Sequence, residues 1–462
     1  ISYLDFDVER LLFKMNSNEG PCLCRADFDK NDLDDFFVGG AKGQSSLIYF
    51  QRNDGSFYPD SESFSEEKNS EDVDCLVDDF NGDGIIDIYV ASGGSEFSDF
   101  STELLDRIYF GDKNGKFHKS NQMLPSLNKF EITSTVSSTD FDEDGDVDIF
   151  VGVRLNPRSY GTSTRAYLLQ NDGEGIFTDV TEKLIPELMS LGMVTDSEFV
   201  DLNNDNKKEL IIVGEWMPVR IWEYINDSFM EITDKMNLEK SNGLYNVLKV
   251  SDLNDDGFDD IVLGNFGQNS SFDASEKMPM VLLVNDFDKN GRTEQILGMH
   301  YNSKLYPMVQ LKDLWMQIPD LKKKYLKFEN YKDETLFELF DEKIIEDSEL
   351  KYVHNLSSLV LINNGGQDFT KIELPFEAQI SSIYAILEDD FNDDNFIDII
   401  IGGNQTKIKP EYGINNASFS LMLLGNNDGT FKPQKSNKSW LFIKGEIRDI
   451  IKIGGKIIDN YI

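Results

Sequence analysis

Asp79, Asn81, Asp83 and Asp87 set a side-chain oxygen at alternate positions of "DFNGDGIID" and once more after a turn. A calcium ion takes six to eight such oxygens at about 2.3–2.6 Å. On that spacing Asp79, Asn81 and Asp83 are side-chain ligands, Ile85 offers its carbonyl and Asp87 closes the shell, with Gly84 permitting the bend. Magnesium fits less well, since it holds its waters and demands a tight octahedron, and the loop has no His or Cys for zinc. The alternative reading is an acidic turn that binds nothing and is stitched by Asx-turn hydrogen bonds.

Repetition favours the cation. The pattern D-x-[DN]-x-[DN]-x-x-x-[DE], led by an aromatic residue or Leu at its second position, occurs seven times. The remaining candidate ligands are Asp27, Asp29, Asn31 and Asp35; Asp140, Asp142, Asp144, Asp146 and Asp148; Asp201, Asn203, Asp205 and Glu209; Asp252, Asn254, Asp256, Phe258 (by its carbonyl) and Asp260; Asp286, Asp288, Asn290 and Glu294; and Asp390, Asn392, Asp394 and Asp398. Asp32 and Asn395 stand where other copies have the bend glycine, and both types tolerate a left-handed backbone. The fourth copy departs from the pattern with Lys207 and Lys208. These loops hold 29 of the 84 acids and 5 of the 44 bases, so they carry −24 of the formal charge of −40. The acidity is therefore local rather than a diffuse solubilising coat.

The elements that must hold these loops are strands. After six of the loops comes a short β-branched run such as "IDIYVASGG", "VDIFVGV" or "IDIIIGGN", suited to a strand buried on both faces. A further strand and tight turn before an aromatic follow, as in "RIYFGDKNGKF" and "LMLLGNNDGTF". Four strands per 50 to 60 residues predict an all-β chain, a β-propeller with seven blades (six or eight as alternatives), forming one domain over 1–462. The first five loops keep this spacing, but the next intervals are 34 and 104 residues. The 286 copy aligns with the outer turn of a fifth unit. A sixth unit keeps its hairpin "LVLINNGGQDF", and residues 308–350, with apolar residues at helical spacing and Lys-rich faces, replace its front half as the one helical insertion.

With 40% apolar and 12% aromatic residues the chain can bury a sizeable core. A charge of −40 repels phosphate backbones and anionic lipid headgroups while attracting cations, so nucleic acid is not an expected partner. No apolar run is long enough to span a membrane, and the start "ISYLDFDVER" has the look of a mature or trimmed fragment. Cys22, Cys24 and Cys75 are too few for a disulfide framework, and Cys22 and Cys24 are expected as buried apolar thiols.

In these loops and strands the chain resembles the FG-GAP and VCBS repeats of integrin α-chain propellers and of secreted bacterial repeat proteins. "GPCLCRADFDKNDLDDFFVGGAKGQ" and "FIKGEIRDIIKIGGK" are similar to the start and end of the propeller in large bacterial VCBS-repeat surface proteins. The resemblance implies several calcium ions on the loop residues named above, and an extracellular or cell-surface, outer-membrane-associated place within a larger chain or complex. The tail "KIIDNYI" stops where that family would continue.

Three functions follow as expectations: a binding or adhesion module for protein or glycan, a polysaccharide-active hydrolase or lyase, or a structural spacer. No catalytic residue is assigned. His118, His300 and His354 lack partners at motif spacing, no G-x-S-x-G or H-E-x-x-H occurs, and a glycosidase-type acid pair would be invisible among 84 acids. The most distinctive surface is the insertion, where Trp315, Tyr325, Phe328 and Tyr331 accompany Lys322, Lys323 and Lys324. Its plainer reading is a lid in which Leu311, Leu314, Trp315, Ile318, Leu321 and Phe328 cement helices to a neighbouring blade.

Overall fold

A computed structural model describes residues 3–60, 62–126, 130–439, 441–454 and 460–461. Of the tail 456–462, all but Asn460–Tyr461 lies outside the described residues. Apolar, β-branched runs punctuated by glycine turns fold into antiparallel sheets, and the chain is all-β and β-propeller-like. Four consecutive sheets of four strands span 23–60, 71–119, 132–179 and 193–231, and a sixth spans 383–433. Gly243–Leu244 adds an edge strand to the fourth.

The fifth sheet differs from the expected order. Val247–Ser251 and Asp260–Gly264 pair with Leu359–Asn363 and Phe369–Glu373. The hairpin assigned to a separate sixth unit thus completes the sheet that carries the 252 loop. Between Gly264 and Leu359 lies an inserted four-stranded sheet, Met280–Asn285, Glu294–Tyr301, Lys304–Pro307 and Glu349–Val353. The 286 loop joins its first two strands, and the helices Leu311–Gln317, Leu321–Lys324 and Glu342–Glu346 sit between its last two. Local periodicity marks strands but not their partners, so an insertion between the second and third strands of a sheet reads as a new unit. Short helices also occur elsewhere, at Thr181–Leu184 and Ser436–Ser439.

The first strands of successive sheets surround a polar cavity of about 380 Å³, lined in turn by residues 21–23, 73–75, 134–136, 195–198, 246–249, 384–386 and 448–451. Asp74, Asp196 and Asp449 each accept a backbone N–H from the neighbouring first strand, at Val136, Leu248 and Leu23, all 2.8 Å away. Residues 447–454 bridge the sixth and first sheets: the Ile447 N–H donates to Gly403 O, and the Gly454 N–H to Asp34 Oδ2.

Antiparallel strands put the acidic loops at one end of the sheets and the second-to-third connections at the other. At that other end a second apolar core gathers Phe97, Tyr160, Phe266 and Tyr412 with Met280, Leu282 and Val353 of the inserted sheet. Leu12 and Phe13 of the N-terminal segment join it. The segment is fixed by the Lys409 N–H to Phe13 O and the Met15 N–H to Lys407 O. Lys14, 2% exposed, forms an ion pair with Glu215, which Arg154 also holds at 2.8 Å. Burial opposes that carboxylate, yet Lys14 and Arg154 keep it down to about 2.

Cys24 and Cys75 correct the expectation of free thiols. They form a disulfide between the first strands of the first two sheets, and only Cys22 is a buried free thiol. Two cysteines 51 residues apart give no local signal of pairing; adjacency of the two strands brings them together.

Candidate metal centres

All seven loops share one geometry. The first aspartate accepts backbone N–H groups from the fifth and sixth residues; at Asp79 these come from Asp83 at 3.1 Å and Gly84 at 2.6 Å. The same pair of bonds recurs at Asp27, Asp140, Asp201, Asp252, Asp286 and Asp390. The fourth and sixth residues take positive φ in every copy, including Asp32 at 63°, Asn206 at 68° and Asn395 at 70° where glycine is missing. Asn and Asp carry this conformation at small cost, which is why the loop survives without its glycine. The 201 and 286 copies, which depart most in sequence, have the same backbone as the rest.

The ninth residue is a strut. Asp35, Asp87, Asp148, Glu209, Asp260, Glu294 and Asp398 are each no more than 1% exposed. Each accepts the N–H of the loop's second residue, as Asp87 does from Phe80 at 3.0 Å. In five copies the other oxygen accepts an N–H from the hairpin of the same sheet, at Gln51, Gly111, Asn171, Asn363 or Gly425. Sequence reasoning missed Asn171 and Asn363, whose amides donate to Phe80 O and Leu202 O in the preceding repeat's loop. An Asn before the hairpin turn in "LLQNDGEGIF" and "LVLINNGGQDF" is the signal that was available.

Hydrogen bonds of this kind hold an acidic turn with or without an ion, so fit to a cation has to be judged on oxygens left over. Asp27, Asp29 and Asp35, then Asp140, Asp142 and Asp148, then Asp286, Asp288 and Glu294 bring carboxylate oxygens within 4.8 Å of one another. Asp142 Oδ1, Asp146 Oδ1 and Glu294 Oε1 are buried without a hydrogen-bond partner. Unpartnered buried carboxylate oxygens are costly unless a cation faces them, and hard oxygen donors are the set calcium takes. The loops at 79, 201, 252 and 390 have Asn at the third position, so they offer an amide oxygen in place of the middle carboxylate.

Burial lifts the strut carboxyls to about 7 at Asp35, Asp87, Asp148, Glu209 and Glu294, and to about 6 at Asp260. In the cavity burial likewise lifts Asp74 to about 8 and Asp196 to about 7. A carboxyl whose folded pKa exceeds its unfolded one binds its proton more readily in the fold, so stability falls as pH rises through the window between them. In chelator the melting temperature should therefore climb as pH is lowered from about 8 to about 6, the reverse of an ordinary acid-sensitive protein. With excess calcium the slope should flatten, because the ion compensates the buried charge of the loop carboxylates as the proton does. A chelated chain that melts lower on acidification over this range would overturn the assignment.

Residues 27–90, 79–151 and 140–212 each match the FG-GAP-like repeat family. Residues 27–212 are FG-GAP-like repeats. Each match begins on the first aspartate of a loop, Asp27, Asp79 or Asp140, and runs into the second strand of the next sheet, so the FG-GAP-like repeat is offset from the sheet. Loops with the FG-GAP-like geometry continue at 252, 286 and 390, beyond the matched residues. A search among curated proteins found no match. Among solved structures, Bacillus licheniformis rhamnogalacturonan lyase PL11 aligns over 90% of this chain and 74% of its own, at 10% identity and a TM-score of 0.36. A superposition that loose carries no argument about this chain.

Elsewhere the sequence-marked residues disperse. His118 pairs with Asp112 at 3.1 Å, His300 Nδ1 lies 3.0 Å from Pro279 O, and His354 follows the last strand of the inserted sheet. In the insertion Leu311, Leu314, Ile318, Leu321, Tyr325 and Tyr331 are buried against the inserted sheet, and Trp315 packs at its margin. Phe328 departs from the expected cement and stands 64% exposed.

Proposed function

We propose that the chain is a calcium-stabilised β-propeller that works outside the cell or at its surface as a binding module for a protein or glycan. Seven blade positions surround the cavity in this reading, with residues 383–433 as the sixth and 447–454 opening the seventh. The observation that carries it is the shared backbone of seven acidic loops, two of which, at 140 and 286, also hold buried carboxylate oxygens without a hydrogen-bond partner. The Cys24–Cys75 disulfide supports an oxidising compartment. The chain's ligand is recognised on connections held by the sheets, as loops on rigid scaffolds commonly do.

Calorimetric titration of the chelator-stripped chain tests the metal half. Calcium should bind at several sites, magnesium more weakly, and Asp144→Ala should remove one site while leaving the fold, since the core is spread over seven sheets. No calcium heat, or an Asp144→Ala variant with unchanged stoichiometry, would overturn the assignment of that loop. A glycan array and a pull-down test the recognition half, and turnover of polysaccharide in the same samples would replace it with an enzyme.

A further inference from the structure

The insertion presents a surface unlike the rest of the molecule. Residues 320–329, "DLKKKYLKFE", hold four lysines against two acids in a chain of formal charge −40. Leu321 and Tyr325 anchor the stretch, buried among Leu311, Leu314 and Leu336. The Tyr325 hydroxyl donates to Glu334 Oε2 at 3.1 Å, and Lys324 Nζ donates to Glu338 O at 2.6 Å. With its anchors fixed, the turn projects its other side chains outward. Leu326 is 71% and Phe328 64% exposed, and Lys322, Lys323 and Lys327 are exposed beside them.

We propose that this turn docks the protein on an anionic lipid surface, with Leu326 and Phe328 entering the headgroup region and the lysines meeting phosphates. Three features favour lipid over a folded acidic partner or a glycan. Lysine is a point charge without the planar fork that registers a carboxylate, so it suits a fluid array of phosphates. Leucine and phenylalanine lack the polar edge that a sugar's hydroxyls require, and hydrocarbon asks for none. Net charge sets the orientation: the acidic remainder is repelled from the same surface, and at physiological salt that repulsion is screened beyond about 8 Å, while contacts at the turn persist. No helix among the described residues is long and apolar enough to cross a membrane. The inference goes beyond the proposed binding module and does not depend on calcium in the loops.

Co-sedimentation of the whole chain with phosphatidylcholine vesicles, with and without phosphatidylglycerol, tests it in chelator and again in calcium. The chain should bind the mixed vesicles in chelator, release at high salt and ignore phosphatidylcholine alone. Lys322→Gln and Lys327→Gln should each weaken binding on the order of fivefold, about 1 kcal/mol per lysine, and Lys323→Gln by less, because Asp320 already pairs with Lys323 at 2.6 Å. The pair Leu326→Ser and Phe328→Ser should weaken it about tenfold or more with no change in melting temperature, since neither side chain is in the core. Binding seen only with calcium would assign the contact to ion-bridged acidic loops and overturn the proposal. So would vesicle binding unchanged in the variants, or capture of polyglutamate by a chain that ignores vesicles. A chain that binds vesicles but no calcium would sink the proposed function and leave this inference standing.

Discussion

Stripping the protein with a chelator should lower its melting temperature by many degrees. Each loop crowds several carboxylates that repel one another until a divalent ion sits among them, and a ligand that binds only the folded chain at a hundred times its Kd adds about 2.7 kcal/mol per site. Three filled loops, at Asp27, Asp140 and Asp286, would add about 8 kcal/mol, and seven about 19. Unfolding entropy for a chain this long is about 1 kcal/mol per degree, so the expected rise spans about 8 to 19 °C. Scanning calorimetry in excess calcium and in chelator measures it. Superimposed transitions would mean that the loops are hydrogen-bonded turns and nothing more.

The second large effect lies at the opposite end of the sheets. Glu215→Ala should destabilise the chain by about 3–5 kcal/mol, because it leaves Lys14 buried without a counter-ion and takes one of Arg154's two. It also removes the acceptor of the Tyr160 hydroxyl, 2.8 Å away. The double variant Glu215→Ala with Lys14→Met should recover much of the loss, since an apolar side chain can fill the space that the unpaired ammonium cannot. The pair has a pH signature as well. Glu215 sits near 2 in the fold against 4.5 as the ordinary value, so its contribution is complete above the unfolded pKa and is lost as pH falls from about 4.5 toward 2. Urea unfolding of the three chains at neutral pH and near pH 3 checks both statements. A single variant as stable as the parent would show that the N-terminal segment does not depend on this pair.

The acidic loops were legible in the sequence because they are local objects. Nine residues contain the bonds common to all seven turns, the first aspartate's two N–H partners and the ninth residue's one, together with the positive φ at positions four and six, and a residue such as Asn395 does there what Gly84 does in another copy. Strand identity was legible for the same reason, since an apolar, β-branched run buried on both faces is written within five to nine residues. Partnership between distant segments is a different kind of fact. Nothing near "LVLINNGG" says that it pairs with Asp260–Gly264 across an inserted sheet, nothing near Cys24 says that Cys75 lies beside it, and nothing near Lys14 points to Glu215. The insertion shows the boundary within eight residues. Leu321, Tyr325 and Phe328 share apolar chemistry and helical spacing, yet two are buried and one stands in solvent. Sequence set the chemistry each side chain brings. Tertiary packing, which decides which neighbours exclude water from it, settled which of them became core and which became surface.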